Sequence, residues 1–188
     1  MTQSVSDFRP AAADLALVIV DIQEKIGGAM PDKVLAQVVR NTNILLAAAD
    51  EFGIPVLVAE QNRRALGPTL PALRLAGEHS LVEKMSFSYF GEPAFVQALN
   101  STGRRSVLLC GMEAHVCIYQ IALDLLEEGR KVFVAADAIC SRVKLNWKLS
   151  LGTMRQAGAV VVPTETIVFQ LLGEAGNERF KRISKLLK

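Results

Sequence analysis

The sequence predicts an α/β fold: one parallel sheet of six strands, covered by helices on both faces. Three observations lead there. Apolar runs and helix-period segments alternate from one end of the chain to the other, as in repeated strand–helix–strand units. The apolar runs are continuous rather than alternating, which marks strands buried on both faces. Glycines close most of the helical segments, where a left-handed cap residue fits.

Leu15 to Val20 (LALVIV) is the first strand, and Asp21 follows it. Pro31 suits the first turn of the next helix, because its missing N–H has no intrahelical partner there. Val34, Val38, Leu45 and Phe52 carry that helix's apolar spacing, and Gly53 caps it. Pro55 to Glu60 is the second strand, with its proline at the tolerated start. Residues 61–80, with two prolines and two glycines, read as a long loop, and loops of that length are often functional. Leu81 to Lys84 is a short third strand, and 92–102 a helix stopped by Gly103. Val107 to Cys110 is the fourth strand. The helix after it buries Ile118, Ile121, Ala122, Leu125 and Leu126 and ends at Gly129. Val132 to Ala136 is the fifth strand, 143–157 a helix stopped by Gly158, and Ala159 to Val162 the sixth strand. Pro163-Thr164 opens the last core helix, with Thr164 as its N-cap. One domain over 1–188 is expected. Its core is about 15–172, residues 1–14 are peripheral, and 178–188 form a basic amphipathic tail at the surface or an interface.

Composition excludes several classes. A chain of 188 residues is long enough to bury roughly 70% of its unfolded surface without disulfides or metals. With 51% hydrophobic residues and a mean hydropathy of +0.28 it is not a disordered chain. Its charge, 21 − 19 = +2, offers no polybasic groove or anchor, so neither nucleic acid nor membrane is an expected partner. The apolar fraction favours a homo-oligomer with a buried interface. Three cysteines, an odd count without a CxxC pair, fit reduced thiols in a cytoplasmic protein. The first fourteen residues lack the apolar stretch of a signal peptide. Two histidines without HxH or HExxH give no catalytic metal site. The absence of GxGxxG and of a P-loop argues against a nucleotide. No cofactor is expected.

Doubly wound sheets bind ligands beyond the carboxyl ends of their strands, where the strand order reverses. Asp21 follows strand one, Glu60-Gln61 strand two, Lys84 strand three, Gly111 and then Cys117 strand four, Asp137 strand five and Pro163-Thr164 strand six. Singly, Asp21 suits a turn, Lys84 a solvated surface and Cys117 a small core position. Jointly they form an acid, an amine and a thiol suited to acyl transfer. A helix N-terminus and a nearby ammonium favour the Cys117 thiolate, and the carboxylate can carry its proton to a leaving amine. Cys110 reads as core, and Cys140 as core or loop. His115 reads as an exposed loop residue rather than a dyad partner for Cys117, and His79 as isolated. Phe87, Tyr89, Phe90 and Trp147 line a pocket or pack.

These strand ends resemble a known family. LVIVDIQ at 17–23, VEKMSFSYF at 82–90 and LLCGMEAHVCIYQIALDLLEEG at 108–129 are similar to the isochorismatase-like cysteine hydrolases over about Leu15 to Leu172. AEQNRRALGPT at 59–69 and DAICSR at 137–142 look closest to the subgroup named for carrying an isochorismatase domain, and to related bacterial hydrolases. The resemblance implies a three-layer α/β/α, Rossmann-like fold and an Asp–Lys–Cys triad, here Asp21, Lys84 and Cys117. It also implies a non-proline cis peptide at Met112–Glu113, with the N–H groups of Glu113 and Cys117 as oxyanion donors. Nicotinamidases of this family carry a histidine-rich metal motif after strand two, whereas this chain has Glu60-Gln61-Asn62-Arg63. True isochorismatases usually lack the cysteine. Hydrolysis of a C–N bond in a small amide, carbamoyl or related acyl substrate is therefore expected, with Gln23, Gln61 and Phe87 as substrate contacts. Vinyl-ether hydrolysis with Asp21 as acid is an alternative, and a non-catalytic binding module on the same fold is another. Family members are commonly oligomers.

Overall fold

The computed structural model describes residues 4–75, 77 and 79–187. Small parts of the expected termini and of the 61–80 loop (residues 1–3, 76, 78 and 188) lie outside the described residues. The strands are β1 (Leu15–Val20), β2 (Val56–Gln61), β3 (His79–Lys84), β4 (Ser106–Met112), β5 (Lys131–Cys140) and β6 (Val160–Val162). They form one sheet in the order β3-β2-β1-β4-β5-β6, and every neighbouring pair is parallel. The helices are α1 (Glu24–Gly28), α2 (Asp32–Phe52), α3 (Arg63–Leu66), α4 (Pro93–Ser101), α5 (Cys117–Glu127), α6 (Lys144–Ala157), α7 (Thr164–Leu172) and α8 (Glu178–Ser184).

The order explains the layers. From β1 the chain winds outward to β2 and β3, then returns to lay β4 against the other side of β1. Right-handed crossovers in opposite directions put their helices on opposite faces. Thus α2 and α7 cover one face, and α5 and α6 cover the other. All of β1, β2 and β4 is buried, which is why their sequences read as unbroken apolar runs. The pair β1–β4 is the switch point. Gly111 there has φ +124°, and a Cβ at this position would stand 2.0 Å from the Val20 carbonyl oxygen. No residue but glycine lets the two strands approach this closely.

Several expectations need correction. Pro31 is the cap before α2 rather than part of its first turn; Gly53 does close that helix, at φ 63°. Helices α1 and α3, of five and four residues, lie in stretches read as loop, because one turn carries no periodicity. Strand β3 starts two residues earlier than expected. It is an edge strand whose first residues are exposed, so no apolar pattern marks them. Strand β5 runs four residues past Ala136. Its extension pairs Ile139 with Gly111 and Cys140 with Met112 after a register shift, and an irregular ladder hides the period. Thr164 is the first residue of α7, not its cap. Its N–H and hydroxyl both donate to Asp137 Oδ1 at 2.7 Å, so a carboxylate from β5 caps the helix instead. The basic tail forms α8, which docks on α2. Arg179 and Arg182 reach Glu51 at 3.1 and 2.6 Å, and Ile183 is buried.

Candidate active site

The switch point gathers the three residues that the strand ends suggested. Asp21 follows β1 with φ 50°, a left-handed conformation that Asp tolerates better than most residues. Its N–H donates to Ala59 O at 3.1 Å, and the turn carries its carboxylate over the end of the sheet. Lys84 ends β3 and reaches back across β2. Its Nζ donates to Asp21 Oδ2 at 2.8 Å, to Gln61 Oε1 at 2.6 Å and to Ser86 O at 3.4 Å, and lies 3.5 Å from Cys117 Sγ. Cys117 is the first residue of α5. The group is buried: Asp21 is 0% exposed, Lys84 1% and Cys117 6%. Asp21 Oδ1 has no hydrogen-bond partner among the described residues.

Burial dominates the electrostatics. It raises Asp21 above the ordinary carboxylate range despite the opposing pull of Lys84. Burial also pushes the Cys117 thiol up to about 12, helped by the Asp21 charge and opposed by Lys84. Burial thus opposes the thiolate that Lys84 favours. The ammonium of Lys84 acts as anticipated, but the sequence does not display the desolvation that outweighs it. Lys84 stands within reach of both partners. A proton passing from Cys117 to Asp21 thus leaves the net charge of the cluster unchanged, and the ammonium still faces one anion.

The two glutamines serve as braces. Gln61 accepts from Lys84 and donates Nε2 to Met85 O at 2.8 Å. Its backbone is clasped by Gln23, whose Oε1 accepts the Gln61 N–H at 2.7 Å while Nε2 donates to Gln61 O and Gly67 O at 3.0 and 2.6 Å. Both are buried, and every side-chain polar atom of the pair has a partner inside the protein. Phe87 is 54% exposed, on the 85–91 segment above Lys84. Within that segment Tyr89 is buried and stacks on Phe95, with Lys84 Nζ 6.0 Å from its ring centre; its hydroxyl has no hydrogen-bond partner among the described residues. Glu92 ties the segment down by accepting from the Met85 and Ser86 N–H groups at 2.8 and 3.1 Å.

The Met112–Glu113 peptide is cis. After it, the Ala114 N–H donates to Cys140 O at 2.8 Å, and the Val116 and Ile118 N–H groups to Glu113 O at 3.1 and 3.3 Å. The Glu113 carboxylate turns to Arg142, accepting from its N–H at 2.9 Å and its Nε at 3.2 Å. His115 is half-buried rather than exposed and lies 3.0 Å from Ser141 Oγ through Nδ1. Cys110 is core and Cys140 closes β5; all three thiols are free. Among the described residues no group of three or more His, Cys, Asp or Glu side chains is placed to hold a metal, and no helix is long and apolar enough to cross a membrane.

Sequence reasoning missed what fastens these loops. Glu60 anchors the 61–69 turn by accepting from Thr69 N–H and Oγ1 at 2.6 and 2.7 Å and from Arg63 at 2.5 Å. Ser88 bonds Asp124 on α5. These partners are unrelated in sequence, so no local signal announces them.

A parallel sheet whose switch point buries an acid, an amine and a thiol defines a doubly wound α/β protein with a candidate site at the carboxyl edge. The model of the isochorismatase domain matches residues 15–166, and the chain belongs to that family of isochorismatase-like hydrolases. Isochorismatase domain-containing protein 2 of Macaca fascicularis is 40% identical over 173 residues, 92% of this chain and 82% of that protein. The secreted isochorismatase effector Isc1 of Phytophthora sojae is 39% identical over 178 residues, 92% and 83% of the two chains. Among solved structures, the MAR1 ribonuclease of Caenorhabditis elegans superposes with a TM-score of 0.87 at 32% identity, over 95% of this chain and 92% of that one.

Proposed function

We propose that the protein hydrolyses a C–N bond of a small amide, carbamoyl or related acyl compound through a thioester on Cys117. The observation that carries this reading is the position of Lys84 Nζ, 2.8 Å from Asp21 Oδ2 and 3.5 Å from Cys117 Sγ. Asp21 takes the thiol proton as the sulfur attacks the substrate carbonyl carbon. The N–H groups of Glu113 and Cys117 hold the resulting oxyanion, each donor worth roughly 3 kcal/mol of barrier. Asp21 then gives its proton to the leaving nitrogen, the C–N bond breaks, and an acyl-thioester remains. Next, Asp21 deprotonates a water that attacks the thioester. The acid leaves and the proton returns to sulfur. Lys84 faces whichever of Asp21 and Cys117 bears the negative charge, and no cofactor enters any step. Gln61 and Gln23 hold Lys84 in register, and Phe87 lies where an incoming substrate passes.

Burial supports a small-molecule substrate. Cys117 is only 6% exposed, which suits a compact substrate better than a nucleic-acid backbone. Exposed Val143, just before α6, and Leu145 and Leu149 on α6 (53%, 60% and 61%) support a homo-oligomer, and three free thiols support a reducing, cytoplasmic setting.

The test is a panel of small primary amides and carbamoyl compounds, read by amine release and by intact mass. The reading requires turnover that Cys117→Ala and Asp21→Asn both abolish, with an acyl adduct on Cys117. One observation favours a second reading: the raised Asp21 carboxyl suits a general acid for vinyl-ether hydrolysis. Ether cleavage that survives Cys117→Ala but not Asp21→Asn identifies that reaction instead. Ligand-induced stabilisation without any turnover identifies a binding module.

A further inference from the structure

At the carboxyl end of β5, between the first turns of α2 and α6, lies a cavity of about 420 Å³ that none of Asp21, Lys84 and Cys117 lines. Its apolar walls are Val34 and Val38 from α2, Ile139 from β5 and Trp147 from α6, and Arg142 and Lys144 bring two cations to it. Its size and lining are those of a small-ligand pocket, apolar with a few placed polar groups. The charges have a direction. Arg142 meets Glu113 through Nε alone, and its side chain is 59% exposed, which leaves the rest of the guanidinium for a ligand. Lys144 is the first residue of α6, whose positive dipole end reinforces the two cations. Asp137 also stands in the wall and keeps its charge, with Oδ1 turned to cap α7 through Thr164.

The wall is also tied to the catalytic loop. Cys140 and Ser141, which line the cavity with Arg142, bond Ala114 and His115, and Arg142 bonds Glu113. Three consecutive wall residues thus hold three consecutive residues of the loop that precedes Cys117.

We propose that this cavity is a second ligand site, for a compact amphipathic carboxylate. Its apolar body packs on Val34, Val38, Ile139 and Trp147, and its carboxylate meets Arg142 and Lys144. The proposal does not depend on which reaction the triad performs. Leu145 and Leu149 point about half a helix turn away from Lys144 and Trp147, so an oligomer contact on that face leaves the cavity open.

Trp147 is the chain's single tryptophan and reports on the cavity directly. The full-length protein is titrated with 3-phenylpropionate, followed by tryptophan fluorescence, with 3-phenylpropan-1-ol as the uncharged probe. A saturable change is expected, with the alcohol weaker by about tenfold or more because it lacks the charge-assisted bonds. Lys144→Gln weakens the carboxylate about fivefold or more. Val34→Phe, at a partly exposed position, fills the cavity and removes binding. Cys117→Ser leaves binding unchanged. Absence of a saturable change overturns the proposal. So does equal binding of acid and alcohol, binding that persists in Val34→Phe, or loss of binding in Cys117→Ser, which would place the probe at the triad. A fluorescence change that follows protein concentration and not probe overturns it as well, and shows that a second copy covers the cavity.

Discussion

Replacing Lys84 with Met should destabilise the fold strongly, and more at pH 8 than at pH 5. The ammonium is buried and bonds the fully buried Asp21 at 2.8 Å. Its removal strands a carboxylate without its counter-charge, which costs about 3–5 kcal/mol for a buried pair. At about 2–4 °C per kcal/mol for a chain of this size, the midpoint falls by roughly 6–20 °C. The pH dependence follows from the sign of the Asp21 shift. Its folded-state pKa is already raised by burial against the pull of Lys84. A carboxyl raised on folding imposes no penalty below its unfolded pKa of about 3.9, and imposes a growing one as pH climbs toward the folded value. Removing Lys84 takes away the opposing pull, raises the folded value further and widens that window. Neutralising the acid as well, in Asp21→Asn/Lys84→Met, recovers most of the loss at pH 8. Thermal unfolding of the three proteins at both pH values is the assay. A loss under about 1 kcal/mol, or one equal at both pH values, refutes the claim that Lys84 compensates a buried carboxylate.

Gly111→Ala should prevent folding or lower the denaturant midpoint far more than Gly129→Ala. A Cβ at 111 meets the Val20 carbonyl at 2.0 Å, whereas at 129 it meets nothing within 4 Å and carries only the strain of φ 75°; equal midpoints would contradict the close approach of β1 and β4. Gln61→Leu should lower kcat/KM by about ten- to a hundredfold through misplacement of Lys84. Gln61→Glu adds an anion beside the cluster, raises Asp21 further and moves the acid limb of the pH–rate profile upward. An unmoved limb would show Gln61 to be mere packing.

Much of the fold was legible because burial on both faces writes itself as unbroken apolar runs. LALVIV and VVV sit in β1 and β6, and glycines stand at helix ends. The losses fall where one element borrows its stability from another. Thr164 looks like a cap until Asp137 from β5 is seen to take both of its hydrogens. The start of β3 is exposed and looks like loop until β2 pairs with it. The strand-end rule selected Asp21, Lys84 and Cys117 because doubly wound topology brings those ends together. It could not show how deeply the three are buried, nor the desolvation that raises the thiol. Gln23 and Gln61 stood at the right place for substrate, but their bonds are to each other's surroundings, a matter of side-chain direction that residue type does not reveal.

In the proposed mechanism Asp21 receives the Cys117 proton within a cluster of constant charge. Alkylation of Cys117 by iodoacetamide, located by peptide mass spectrometry from pH 6 to 9, tests it most directly. With Asp21 as internal base the rate is nearly flat across that range, because the proton never leaves the cluster. In Asp21→Asn the proton must go to solvent, so the rate is lower and climbs about tenfold per pH unit below the thiol's pKa. A wild-type rate that climbs as steeply as the Asp21→Asn rate would contradict the claim.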